Sequence, residues 1–230
     1  DHVIYMNRND QIPNKRFRRI LRELYYISHV MNEDSDEYDP DLKVLTYKSN
    51  LDNWMVFLKG TEGTVYAGKW YELYISFPDT YPSSPPIIRF MSIPYHLNIS
   101  PEGRICLNIV EKGYMPACRV LNIIQEVKEL FVIPNTDTPI QIEILETFLK
   151  DQQVYYDKAK KSAEEVGKEN YEDFFPKRTY VQGLSDDEDE TQIGLDYDQE
   201  NTPLFMISQV YGGTIRDPVL ASSGVFYERE

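Results

Sequence analysis

Between positions 15 and 31 apolar side chains recur at three- and four-residue spacing. Phe17, Ile20, Leu21, Leu24, Ile27 and Met31 fall on one face, with basic residues between them. That period predicts an amphipathic helix ending before the polar stretch 32–40, which reads as a loop. Four segments follow, 43–48, 54–59, 70–77 and 87–91, rich in β-branched and aromatic residues and separated by Gly, Pro, Asn and Asp. Their short connections predict an antiparallel meander. Pro78, Pro82, Pro85 and Pro86 cannot sit inside a central strand, so that stretch is expected to be a stiff surface loop. A helical stripe then returns at Val120, Ile123, Ile124, Val127, Leu130 and Phe131, stopped by Pro134, and 140–150 and 153–165 predict two further helices. A helix, a run of strands and then helices is the α+β order.

Near Asn170 the pattern changes. The run Ser185-Asp186-Asp187-Glu188-Asp189-Glu190 has no apolar period, and hydrophobic and turn residues resume at Pro203. The expected organisation is an extension over 1–14, a core domain over 15–170, an acidic linker over 171–202 and a small C-terminal piece over 203–230. The first residue is Asp rather than Met, as expected of a fragment or processed product. The 230 residues are 41% hydrophobic with 18 Tyr and 10 Phe, enough for a packed core. No run of about 18 apolar residues suits a membrane helix, so no membrane partner is expected.

Charge narrows the partners. The net charge of −14 argues against nucleic acid, whose phosphates such a surface repels. The distribution is uneven: residues 1–32 carry six basic side chains against three acidic ones, and residues 171–230 carry four against thirteen. A basic first helix on an acidic chain suits an acidic protein partner, or is simply a solvated face. The two cysteines, Cys106 and Cys118, make no disulfide scaffold and no zinc spacing. No metal is therefore expected, and a reducing compartment, cytoplasmic or nuclear, fits best.

The stretch YHLNISPEGRICLNIV, residues 95–110, carries the chemistry. It sets His96 and Asn98 two apart, a turn at Pro101-Glu102-Gly103, and Cys106 before apolar residues. A lone cysteine in an apolar run is usually core packing. A nucleophilic thiol must be accessible, and acyl transfer needs a donor aimed at the developing oxyanion, for which the Asn98 amide is the right type. No Asp or Glu is placed to complete a cysteine-hydrolase triad, so spacing alone leaves protease and acyltransferase both open.

These residues resemble the ubiquitin-conjugating enzymes, whose pattern is His-Pro-Asn, a Gly, and Ile/Val-Cys-Leu with the cysteine ten residues after the histidine. His96, Asn98, Gly103 and Ile105-Cys106-Leu107 fit it. Upstream, Trp54, Gly60, Tyr66-Ala67-Gly68, Phe77-Pro78-Asp79-Thr80-Tyr81-Pro82 and Pro85-Pro86 resemble the family's strands and proline loop; downstream, Tyr114, Pro116-Ala117 and Pro134-Asn135 continue the match to about Gly167. The resemblance implies that Cys106 accepts ubiquitin from an activating enzyme as a thioester, for an incoming lysine to attack. It implies that Asn98 holds the loop and stabilises the oxyanion and that His96 organises the loop. Lys15, Arg16, Arg18, Arg19 and Arg22 would meet the activating enzyme. Pro82, Ser83, Pro116 and Ala117 would meet RING, U-box or cysteine-relay ligases. No bound cofactor is implied; ATP is consumed by the activating enzyme. Cys118 reads as packing.

Departures from the pattern matter. Leu97 replaces the central Pro, Lys69 replaces a Gly, and Ser83 stands where many members carry an aromatic. Asn108 and Thr138 stand where lysine-active members often carry acidic residues that orient and deprotonate the amine, which puts lysine reactivity in question and leaves thioester formation untouched. Asp137, Glu111 or a partner's carboxylate are the candidate substitutes. The alternatives to a ubiquitin-conjugating enzyme are a catalytically silent ubiquitin-binding variant, an enzyme for another ubiquitin-like modifier, and an unrelated cysteine hydrolase.

Residues 203–230 resemble the beginning of a U-box, through Val210, Ile215-Arg216-Asp217-Pro218-Val219, Gly224 and Tyr227-Glu228-Arg229. A complete domain of that kind needs about twice the length, so the chain is expected to stop inside it. A flexible linker would raise the effective concentration of each module for the other.

Overall fold

The computed structural model describes residues 3–5, 14–47, 50–175 and 225–227. Strand β1 (Val3–Tyr5) is followed by helix α1 (Lys15–Met31), strands β2 (Leu42–Tyr47), β3 (Asn50–Lys59), β4 (Trp70–Ser76) and β5 (Ile87–Phe90), helices α2 (Val120–Val132), α3 (Ile142–Lys150) and α4 (Gln152–Val166), a 3-10 turn (Tyr171–Phe174) and strand β6 (Val225–Tyr227). β1 pairs antiparallel with β6 through Ile4 and Phe226. The rest of the extension, the linker from residue 176 and the remainder of the U-box-like piece lie outside the described residues.

The antiparallel meander β2-β3-β4-β5 forms as the alternation predicts, with Val56 facing Val44 on one side and Leu73 on the other. β3 starts at Asn50, earlier than the expected 54: Asn50 pairs with Tyr47 and Asn53 with Ser76, although Leu51 is the one apolar residue in a segment otherwise polar. Asn14 caps α1, its side chain accepting the Phe17 N–H at 2.8 Å, and Asp151 caps α4 in the same way. Ile20 and Ile27 of α1, Val56 and Leu73 of the sheet, Ile123 and Val127 of α2 and Tyr155 of α4 share the main core. No described helix is long and apolar enough to cross a membrane.

The sheet is buried on both faces. Leu45, Phe57 and Trp70 form a second cluster on the face away from the main core, with Tyr171, Phe174 and Phe175 packed against it. The Phe57 ring lies 5.6–5.8 Å from each of those three rings. Lys168 feeds this strap by exchanging backbone hydrogen bonds with Trp70 at 2.8 and 3.0 Å. Residues 171–175, assigned to the linker by their acidic surroundings, therefore pack as part of the folded unit. Three aromatic rings over an apolar sheet face outweigh the two carboxylates beside them.

Candidate functional site

Residues 91–113 cross from β5 toward α2 without regular structure, and each turn is fixed by a specific contact. Gly103 sits at φ +78°, where a Cβ would meet the Phe90 carbonyl oxygen at 2.0 Å, so glycine alone makes the Pro101-Glu102-Gly103 turn. Cys106 donates its N–H to the Asn98 carbonyl at 3.2 Å, which ties the nucleophile directly to the His96–Asn98 segment.

His96 is fully buried. Its Nδ1 accepts the Asn98 N–H at 3.0 Å, so Nε2 carries the proton and donates to the Leu130 carbonyl at 2.9 Å. Burial pushes the ring down to about 4, against the smaller upward pull of the Leu130 hydrogen bond, and keeps it neutral. With both nitrogens engaged in the core, His96 is a positioning residue and offers Cys106 no base.

Asn98 is also fully buried. Its Nδ2 donates to the carbonyls of Asn135 at 2.7 Å and Thr138 at 3.1 Å, and its Oδ1 accepts the Asn135 N–H at 2.9 Å. Both amide protons are committed to the loop. The geometry therefore matches the loop-holding half of the expected role; an oxyanion would have to displace one of these bonds. Leu97 fills the core and its carbonyl receives the N–H groups of Ile140 and Gln141 at 2.9 and 3.0 Å.

Cys106 itself is half-buried, between two differently built segments. Burial raises the thiol's pKa, the Thr138 hydroxyl beside it lowers it, the Glu111 carboxylate raises it and Lys112 lowers it. Asp137 is exposed, and its N–H is held by the Asn135 side chain at 2.9 Å. Asn108 is exposed; its N–H and that of Ile109 are both received by the Glu126 carboxylate of α2, at 2.8 and 3.2 Å. Sequence reasoning missed Glu126. It lies on the polar side of the α2 stripe, and nothing in its neighbourhood signals a turn eighteen residues upstream.

The five basic residues of α1 divide in two. Lys15, Arg18 and Arg22 are exposed. Arg16 instead donates to the carbonyls of Phe77 and Pro78 and pairs with Asp52 at 2.8 Å. Arg19 donates to the Pro116 and Cys118 carbonyls, both at 2.7 Å, and to Glu23. Glu23 is 1% exposed and also receives the Val120 N–H at 2.9 Å, at the start of α2. Arg16 and Arg19 are thus struts that dock α1, so the free basic face is smaller than the sequence implied. The same contacts gather the two loops expected to meet ligases. The Tyr114 hydroxyl donates to the Pro82 carbonyl at 2.8 Å, joining the proline loop, with exposed Ser83, to exposed Pro116 and Ala117.

An α+β core of this topology carries half-buried Cys106 between two clamped segments, with both ring nitrogens of the buried histidine nearby committed to other partners. The ubiquitin-conjugating enzyme family matches residues 22–163, and the chain belongs to that family. It is 32% identical over 154 residues to ubiquitin-conjugating enzyme E2 T of Xenopus laevis, covering 65% of this chain and 77% of that one. It is 36% identical over 116 residues to ubiquitin-conjugating enzyme E2 of African swine fever virus, covering 47% of this chain and 53% of the viral one. The chain thus spans about half the length of that viral relative. The E2 domain of a Toxoplasma gondii ubiquitin conjugating enzyme superposes with a TM-score of 0.57 at 25% identity, covering 65% of this chain and 97% of that one.

Proposed function

We propose that the chain accepts ubiquitin from an activating enzyme as a thioester on Cys106 and passes it to a substrate or a ligase. The observation that carries this reading is the half-buried Cys106 tied by its N–H to the buried His96–Asn98 segment, in a chain of the ubiquitin-conjugating family. Asn98 acts chiefly by holding the 135–138 loop against the thiol, and His96 by orienting Asn98. Lys15, Arg18 and Arg22 form the activating-enzyme face, supported by their exposure on one side of α1. The joined loops at Pro82-Ser83 and Pro116-Ala117 form the ligase face, and exposed Met115, next to Pro116, supports an apolar contact there. A partial U-box over residues 203–230, following the acidic linker, belongs to this reading on its sequence alone.

The test is charging with purified activating enzyme, ATP and ubiquitin. A reductant-sensitive adduct is expected, lost in Cys106→Ala and retained in Cys118→Ala. An adduct that survives Cys106→Ala and disappears in Cys118→Ala overturns the assignment of the nucleophile.

A further inference from the structure

We infer that Glu126 of α2 is a positioning residue for transfer from Cys106: its carboxylate anchors the turn after the nucleophile and so fixes where the thioester is presented. This rests on the proposed thioester at Cys106. The turn is a closed piece of backbone. The N–H groups of Val110 and Glu111 both donate to the Leu107 carbonyl at 3.2 Å, and the Gly113 N–H donates to the Asn108 carbonyl at 2.9 Å. Those bonds hold the turn to itself and leave its first N–H groups, at Asn108 and Ile109, to be satisfied from outside. Glu126 takes both: one carboxylate oxygen lies 2.8 Å from the Asn108 nitrogen and the other 3.2 Å from the Ile109 nitrogen. Among the described residues, these are the hydrogen bonds that tie residues 107–113 to the rest of the chain. One residue before the turn, the Cys106 N–H donates to the Asn98 carbonyl at 3.2 Å. The nucleophile is therefore held from both sides, by the buried His96–Asn98 segment upstream and by one side chain of α2 downstream.

The anchor works by position, not by proton transfer. An acceptor attacks the thioester carbonyl only from an aligned pose about 3–3.5 Å away, and a shift of about 1 Å can cost a hundredfold in rate. With no ligase present, no other protein holds the acyl group in place, so discharge reads the anchor directly. The chemistry of the side chain separates position from charge. Glutamine keeps the length of Glu126 but exchanges one acceptor oxygen for an NH₂ donor, whereas aspartate keeps charge and both oxygens but is one methylene shorter. Glu129 supplies the control, because it is exposed on the same helix and its carboxylate makes no hydrogen bond or ion pair among the described residues.

The experiment is single-turnover discharge of the ubiquitin-charged full chain, ligase absent, to free lysine, hydroxylamine and 2-mercaptoethanol. Wild type is compared with Glu126→Ala, Glu126→Asp, Glu126→Gln and Glu129→Gln. Glu126→Ala and Glu126→Asp are expected to slow discharge about tenfold, by the same factor toward all three acceptors. Glu126→Gln, with one of two bonds kept, should fall between them and wild type, and Glu129→Gln should match wild type. Charging by saturating activating enzyme should stay within about twofold in every variant, which a general loss of structure would not allow. A loss confined to lysine would make Glu126 a proton acceptor, and a loss shared by Glu126→Gln and Glu129→Gln but absent in Glu126→Asp would make it a surface charge. Either result, or an unchanged rate in Glu126→Ala, would overturn the inference with the thioester reading intact. A wild-type chain that takes no ubiquitin would overturn both.

Discussion

On one side of Cys106 the 135–138 loop hangs on Asn98, whose amide bonds are made by a fully buried side chain. On the other side the turn from 107 to 113 hangs on Glu126, whose carboxylate lies at the half-exposed surface of α2. Hydrogen bonds to a buried group resist loss because no water can replace them, whereas a half-exposed carboxylate can be replaced by solvent at small cost. The first side is therefore an extension of the core. The second is a local device that can differ between relatives without disturbing the fold.

The largest expected effect comes from cutting the buried clamp. Asn98→Ala leaves the carbonyls of Asn135 and Thr138 and the N–H of Asn135 without their partner, a loss of about 3 kcal/mol in stability. Discharge of the thioester should fall by at least about a hundredfold, with charging less affected, since attack depends on a loop fixed at the sulfur. Urea unfolding and single-turnover assays read the two effects. Full activity in a well-folded Asn98→Ala would break the contrast between the two sides.

Acid attacks the same buried clamp through His96. Folded, the ring is held neutral, with its pKa lowered to about 4; unfolded, it returns to about 6.5. The unfolded chain therefore binds a proton that the folded one refuses as the pH falls through that window. The contribution is intact above about 6.5, is lost progressively below it, and levels off under about 4, amounting to roughly 3 kcal/mol. Urea unfolding between pH 7 and 4.5 should show this slope in wild type and a shallower one in His96→Gln. Parallel slopes would mean that carboxylates elsewhere account for the whole acid response.

Glu126→Ala should do less. Two hydrogen bonds at a half-exposed site contribute about 1 kcal/mol together once water replaces them. The sharper signature is local: amide exchange at Asn108 and Ile109 should quicken while the amides of Asn98 and Asn135 stay protected. If protection fell on both sides together, the two segments would form one unit and the comparison would collapse.

What could be read from the sequence follows the same division. Helix α1 runs over Lys15–Met31 as its apolar spacing predicts, because its cap at Asn14 and its core residues are local signals. Cys106, Asn98 and His96 could be singled out because they sit inside one short segment that resembles the family's motif. Arg16 and Arg19 could not be separated from Arg18 and Arg22, since a helical period shows which side a residue takes and not which loop will arrive there. The Arg19 contacts at 116 and 118 come from nearly a hundred residues away. Glu126 was hidden for the same reason. The aromatic residues Tyr171, Phe174 and Phe175 were visible, but the acidic composition around them masked a packing contact whose partners, Phe57 and Trp70, lie on distant strands.

The smallest expected effect tests the two flanks through the thiol itself. Burial raises the Cys106 pKa, and one group from each flank then acts with opposite sign: the Thr138 hydroxyl stabilises the thiolate, and the Glu111 carboxylate disfavours it. Removing the hydroxyl in Thr138→Val should move the pKa further up, so less thiolate exists at neutral pH. Alkylation of Cys106 by iodoacetamide should then be slower than in wild type, and the two should converge once the pH exceeds both values. Glu111→Gln should move the pKa down and speed alkylation at neutral pH, again converging at high pH. Both variants should be made on a Cys118→Ala background so that one thiol is read. Shifts of the same sign would show that the substitutions act through a common change in burial. Opposite shifts, with unfolding curves unchanged, would show that the two segments act on Cys106 independently, one through a donor and the other through a charge.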